Sequence, residues 1–272
     1  MEVMMKNIKN AALAATTLAA LSCNAFAADY SDDIHKNDYK WSQFNLMYVV
    51  GEKPSDSDSK KHDYLEMEFG GRSGVVDLYG YVDVFNLTNK NSSSSDKNDG
   101  ESKLYMKLAP RFSLDGMTGK DLSFGPVQEL YVATLFNWGG GPIGEDTNNA
   151  FVGLGSDVMV PWLGKVGMNL YGLYDVNATD WNGYQFSMNW FKPVINFDNG
   201  SFISYQGYID YQFGAESSAT NVSSGGAMYN GIYWHSDRYS VGYGLKAYND
   251  IYTIKSSVGS GFAHYFAATY KF

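Results

Sequence analysis

Apolar and polar residues alternate along most of this chain. In "LEMEF" (65–69), Leu65, Met67 and Phe69 share one face and Glu66 and Glu68 the other. In "GYQFSMNWF" (183–191), Tyr184, Phe186, Met188 and Trp190 oppose Gln185, Ser187 and Asn189. "FISYQGYIDYQF" (202–213) sets Ile203, Tyr205, Ile209 and Tyr211 against Ser204, Gln206, Asp210 and Gln212. A period of two with one apolar face describes a half-exposed strand. No i, i+3, i+4, i+7 apolar stripe is sustained anywhere, so helix is not expected. The pattern predicts strands over 41–50, 63–72, 75–85, 103–113, 124–138, 149–160, 165–176, 183–193, 201–213, 227–235, 239–250 and 261–272.

That is twelve strands, an even number, and the connections between them fall into two kinds. "GGRSG" (70–74), "PWLG" (161–164), "FDNG" (197–200) and "HSDR" (235–238) are tight turns, and "DGMTGKD" (115–121) is slightly longer. Between them come long polar loops at 51–62, 86–101, 139–148 and 215–226. Short turns at one end, long loops at the other and both termini at the short end predict an all-β fold: a 12-stranded antiparallel transmembrane β-barrel. A soluble exported β-sandwich or barrel is the rival, because it shows the same alternation. Two features favour the membrane. Strands of about ten residues suit a tilted crossing of a bilayer, whereas soluble strands run nearer five or six. The apolar face is also rich in Tyr, Trp and Phe towards strand ends, as interfacial girdles require.

The first residues change the picture of location. Lys6 and Lys9 precede "AALAATTLAAL" (11–21) and then "SCNAFA", with small residues at Ala25 and Ala27. A basic start, a short apolar run and an A-x-A-like end read as a secretory signal peptide over 1–27, leaving 28–272 as a single barrel domain. The lone cysteine, Cys23, falls inside that leader, so no disulfide is expected after cleavage near Ala27. The whole chain has a formal charge of −9, and without Lys6, Lys9 and Glu2 it becomes −10. That argues against nucleic acid as a partner. The last twelve residues, "GFAHYFAATYKF" (261–272), place Phe266, Tyr270 and Phe272 on one parity. A final aromatic with apolar residues at every second place before it resembles the C-terminal signature of outer-membrane barrels. The expected partners are therefore outer-membrane lipid, lipopolysaccharide and the barrel assembly machinery of a Gram-negative bacterium.

Longer stretches are distinctive. "PRFSLDGMTGKDLSFGPVQELY" (110–131) closely resembles the central segment of the Tsx nucleoside-specific channel family, as do "DLYGYVDVF" (77–85), "WNGYQFSMNWFKPV" (181–194) and "YSVGYGLKAYND" (239–250). The resemblance runs in order through essentially all of the chain after residue 27. It implies a monomeric twelve-stranded barrel with a narrow pore that passes nucleosides. It also implies surface loops that serve as bacteriophage receptors. One departure concerns the strand entering Pro110-Arg111: where the family places inward acids, this chain has Lys107 and Ala109.

Parity then assigns the channel lining. The strand at 63–72 turns Tyr64, Glu66 and Glu68 inward, and the next turns Asp77, Tyr79, Tyr81, Asp83 and Phe85. Lys107, Arg111, Glu129, Tyr131, Tyr171 and Asp210 follow on later strands. Tyrosine and phenylalanine rings can stack on a nucleobase, at about 1–3 kcal/mol per base. Carboxylates can accept hydrogen bonds from ribose hydroxyls and exocyclic amines. An acidic lining would repel phosphate and pass nucleosides, and several weak sites in series let a solute leave as well as enter. A structural alternative stands beside this one: Arg111 or Lys107 next to Glu66, Glu68 or Glu129 would brace the wall as ion pairs. No Ser/His arrangement on the outer face supports hydrolysis, so enzymatic activity is not expected. "DSDSKK" lacks the Gly and Glu positions of a calcium loop, and neither a metal nor a cofactor is expected. A second function class, a surface receptor or general small-solute pore, remains open on these residues.

Overall fold

The computed structural model describes residues 28–30, 32–55, 58, 60–87, 103–139, 147–218 and 220–272. The expected leader and most of the loops at 86–101 and 139–148 lie outside the described residues. Twelve strands follow in order: β1 (Tyr39–Val50), β2 (Lys61–Ser73), β3 (Val76–Phe85), β4 (Leu104–Ser113), β5 (Val127–Trp138), β6 (Asn148–Val160), β7 (Gly164–Asp175), β8 (Asp180–Asn196), β9 (Phe202–Phe213), β10 (Ser224–His235), β11 (Tyr239–Asn249) and β12 (Gly261–Lys271). Each pairs antiparallel with its sequence neighbours, and β1 pairs with β12 to close a barrel. The closing register runs from Gln43 opposite Lys271 to Val50 opposite His264. Closure leaves no edge strand, so the strands pair with one another where lipid offers no partner.

Parity decides what each side chain meets. On β12, Tyr265 is 4% exposed and Phe266 48%. The same division holds around the wall: Leu46, Leu154, Leu170, Ile232 and Val241 face out, while Asn45, Asp157, Asn169 and Tyr233 are buried inside. Among the described residues no helix is long and apolar enough to cross a membrane. Apolar-out and polar-in is the arrangement a lipid-embedded barrel needs.

The ends differ as the loop lengths foretell. The tight connections gather with Tyr39 and Lys271 at one rim, the periplasmic one in an outer-membrane barrel. The β4–β5 connection there contains a short helix, α1 (Leu114–Thr118), which the alternation did not foresee. Ser113 caps it by accepting from Gly116 N, and Gly119 closes it in the left-handed region at φ 63°. Asp115, nearly fully buried, accepts from the amides of Leu122 and Leu130, which fixes the loop to β5. At the opposite rim the β11–β12 connection holds a 3-10 turn (Ile251–Thr253) that packs against β10. Ile251 is buried there. β8 is the longest strand at seventeen residues, and it overruns its expected range because a register shift between Pro193 and Ile195 carries it past the proline.

The segment before β1 is tied to the periplasmic rim. The Asp38 carboxylate accepts from Gly74 N at 2.7 Å, in the β2–β3 turn. Lys36 pairs with Asp29 at 2.6 Å and Asp32 at 3.2 Å.

Candidate functional site

The lumen is built in three zones, each set by register. The first lies at the periplasmic end. Cross-strand pairing puts Asp77 opposite Arg111 and Glu129 opposite Asp157. Arg111 reaches both aspartates, at 3.0 Å to Asp77 and 2.9 Å to Asp157, and its guanidinium lies 4.1 Å from the Tyr131 ring centre. Arg72 grips Glu129 with two parallel hydrogen bonds of 2.9 and 2.7 Å. Ser113, Tyr131 and Tyr30 also donate to Glu129. Tyr39 donates to Asp77, and Lys165 pairs with Asp157 at 3.2 Å. Arg72 and Glu129 side chains are each 5% exposed. Charges this deep are tolerated because nearly every lone pair and N–H is used.

The second zone is an acidic wall on β2. Glu68 accepts from Gln43 at 2.6 Å, Asn45 at 3.0 Å and Tyr79 at 2.9 Å. Glu66 accepts from Asn45 at 2.6 Å and stands opposite Asp83. Amides of β1 hold both glutamates because Asn45 is opposite Glu66 and Gln43 opposite Glu68. The expected arginine or lysine is not the partner: Arg111 and Lys107 face other strands. Ion-pair bracing therefore exists, with different partners from those the sequence suggested.

The third zone is a cavity towards the long-loop end, with a volume of about 60 Å³. Tyr81, Tyr105, Tyr208 and Tyr252 line it, with Lys107, Asp210, Lys246, Asn137, Gln185 and Gln212 between them. Tyr81 and Tyr105 stand on neighbouring strands with ring centres 6.1 Å apart. Lys107 pairs with Asp210 at 3.3 Å, and Ser187 donates to Asp210 at 2.6 Å. Tyr252 comes from the β11–β12 connection and is 46% exposed.

All fourteen residues proposed from parity lie on the lumen face, yet they separate. Tyr81, Lys107 and Asp210 meet in the cavity. Glu66, Glu68 and Tyr79 form the acidic wall, with Asp83 beside it. Asp77, Arg111, Glu129 and Tyr131 belong to the periplasmic network. Tyr64 and Phe85 pack on each other and on His62 near the outer rim, and Tyr171 packs on Phe151. Phe266, Tyr270 and Phe272 lie on the lipid side, and Phe272 packs edge-on to Phe44 and Tyr270. Arg72 was missed, although continuing the β2 parity from Glu68 reaches it. Tyr252 carries no periodic signal at all.

His235 accepts or donates at 2.8 Å to Ser204, a pairing invisible in the sequence. Ser204 is fully buried, and His235 is stacked on Phe202. Among the described residues no group of three or more His, Cys, Asp or Glu is disposed to hold a metal.

A closed barrel with an apolar outer band and a polar, side-chain-lined lumen defines an outer-membrane channel. Residues 36–272 match the family model described as "Nucleoside-specific channel-forming protein, Tsx", and the chain belongs to that family. It is 64% identical over 269 residues to outer membrane protein OmpK of Vibrio parahaemolyticus, covering 97% of this chain and 100% of that protein. It is 32% identical over 219 residues to the nucleoside-specific channel-forming protein Tsx of Salmonella typhimurium, covering 76% of this chain and 73% of that one. Among solved structures, the NanC porin superposes with a TM-score of 0.50 at 5% identity, covering 85% of this chain and 98% of the porin, a likeness of fold alone.

Proposed function

We propose that this barrel passes nucleosides across the outer membrane by passive diffusion. The observation that carries the reading is the central cavity: tyrosine faces from β3, β4, β9 and the β11–β12 connection surround amide and charged groups. A nucleoside has a flat base to stack and a ribose edge to hydrogen-bond, and this lining offers both. The relatives named as nucleoside-specific channels support the same reading. The acidic wall of Glu66 and Glu68 lies on the solute's path and disfavours phosphorylated forms. Assembly by the barrel machinery through the Phe266, Tyr270 and Phe272 face, contact with lipopolysaccharide, and phage adsorption on the long loops belong to this reading as proposals.

The test is conductance across planar bilayers. Added thymidine or adenosine should lower the ion current in a saturable way, and the matching monophosphates should do so far less. A current indifferent to every nucleoside, up to millimolar concentration, would return the barrel to the class of general pores.

A further inference from the structure

Lys246 stands apart from the other cations of the lumen. Arg72, Arg111, Lys107 and Lys165 each have a carboxylate oxygen within 3.3 Å. Lys246 has neither an ion pair nor a hydrogen bond among the described residues. Its ammonium lies instead over three tyrosine rings, 4.9 Å from the centre of Tyr248, 5.4 Å from Tyr208 and 5.9 Å from Tyr265. Ring faces attract the charge without providing oxygen acceptors for its N–H groups. Two of the three hydroxyls are engaged elsewhere: Tyr248 and Tyr265 bond each other at 2.7 Å, and Tyr265 donates to Glu52.

The local sequence sets what packs around this side chain. The inward places before it on β11 are Gly242 and Gly244, where any Cβ would meet the rings of Tyr233 and Tyr229 at about 2 Å. Its β12 partner is Ala263. The Tyr233 and Tyr229 rings fill the space over those glycines, and Lys246 lines the cavity together with Tyr81 and Tyr105. Asp210 receives Lys107 at 3.3 Å, Ser187 at 2.6 Å and Gln185 at 3.4 Å.

An ammonium has three donors and no acceptor, and hydrogen bonds from charged donors are the strong ones. Uracil and hypoxanthine present an oxo acceptor where cytosine and adenine present an amino donor. Resting on the nucleoside reading, we propose that Lys246 makes the cavity select nucleosides whose base carries an oxo group at that position. An amino base puts donor against donor there, and a site built for a hydrogen bond discriminates strongly against a ligand that cannot complete it.

The experiment compares matched pairs in planar bilayers: uridine with cytidine, and inosine with adenosine. In the unaltered channel the oxo member should reach half-block at a concentration about three- to tenfold lower, equivalent to about 1 kcal/mol. Lys246→Met should abolish that preference, weakening block by uridine and inosine at least about threefold more than block by cytidine and adenosine. Lys246→Arg should keep it. Heat-dependent gel mobility checks that each variant folds, and Lys246→Gln replaces the methionine variant if that one does not. Equal block by all four nucleosides, or a preference that survives Lys246→Met or Lys246→Gln, overturns the inference and leaves nucleoside selectivity standing. Absence of block by any nucleoside overturns both.

Discussion

The periplasmic end and the central cavity are made from the same residue types and differ in how far those residues satisfy one another. Around Glu129, donors arrive from Arg72, Ser113, Tyr131 and Tyr30, so the carboxylate has no lone pair left for a solute. Around the cavity, Tyr81 and Tyr105 present faces, and Lys246 presents donors that no acceptor among the described residues uses. Residue type alone does not distinguish a brace from a binding surface. The count of unused hydrogen-bonding capacity does.

The comparison breaks most visibly if the braced end is cut. Arg72→Met leaves Glu129 buried without its charged partner and the two hydrogen bonds it supplies, and losing one half of a buried pair typically costs about 3–5 kcal/mol. Urea unfolding of the barrel in lipid vesicles should show a loss of that order, with nucleoside block unchanged in whatever folds. An Arg72→Met barrel of undiminished stability but altered block would mean the network is a binding site after all.

The reciprocal cut falls on the cavity. Tyr81→Ala removes a stacking face, worth about 1–3 kcal/mol per base, so half-block should need roughly five to a hundred times more nucleoside. Unfolding should change less than for Arg72→Met, because the Tyr81 ring borders empty space. If the two variants gave the same profile in both assays, the division into brace and cavity would collapse.

These assignments also show what could be read from the sequence. Twelve strands and their inward faces were legible because each strand has lipid on one side and the lumen on the other, and that asymmetry is written at period two. Pairing within the lumen was not. Arg72 and Glu129 are 57 residues apart, and Asp77 and Arg111 34. Which lumen residues meet depends on stagger around the barrel, a property of all strands together. Parity could thus name Glu66 and Glu129 equally as lining, while only the register shows Asn45 holding the first and Arg72 the second. Tyr252 escaped for another reason: it enters the cavity from a connection, where no periodicity applies.

A third region separates assembly from both. Phe272 packs against Phe44 and Tyr270 at centroid distances of 5.4 and 5.2 Å, across the seam where β12 meets β1. Phe272→Ser removes aromatic contacts worth about 0.5–1.5 kcal/mol each. The yield of folded barrel should fall, measured as the heat-modifiable fraction in membranes, while block by nucleosides in the inserted fraction stays as before. Changed selectivity in that fraction would show that the seam shapes the lumen.

The smallest expected effect lies outside the barrel wall, where the segment before β1 meets the braced end. Asp38 accepts from Gly74 N, and that hydrogen bond, helped by His35, holds its carboxyl below the usual carboxylate range against the opposing effect of burial. A depressed carboxyl contributes its tethering at pH values above the ordinary Asp range, about 4, and loses it as pH falls through the lowered value. At pH 7 the segment should therefore stay docked, with Tyr30 on Glu129 and Arg72. Acidification below about pH 4 should free it, and Asp38→Ala should free it already at pH 7. The Gly74 amide resonance reports the contact directly, and it should move in both cases. Because Arg72 and Glu129 keep their own two hydrogen bonds, stability should change far less than in Arg72→Met. A loss from Asp38→Ala as large as that from Arg72→Met would mean that the brace depends on its tether, and the periplasmic end would then be one unit with the segment that precedes β1.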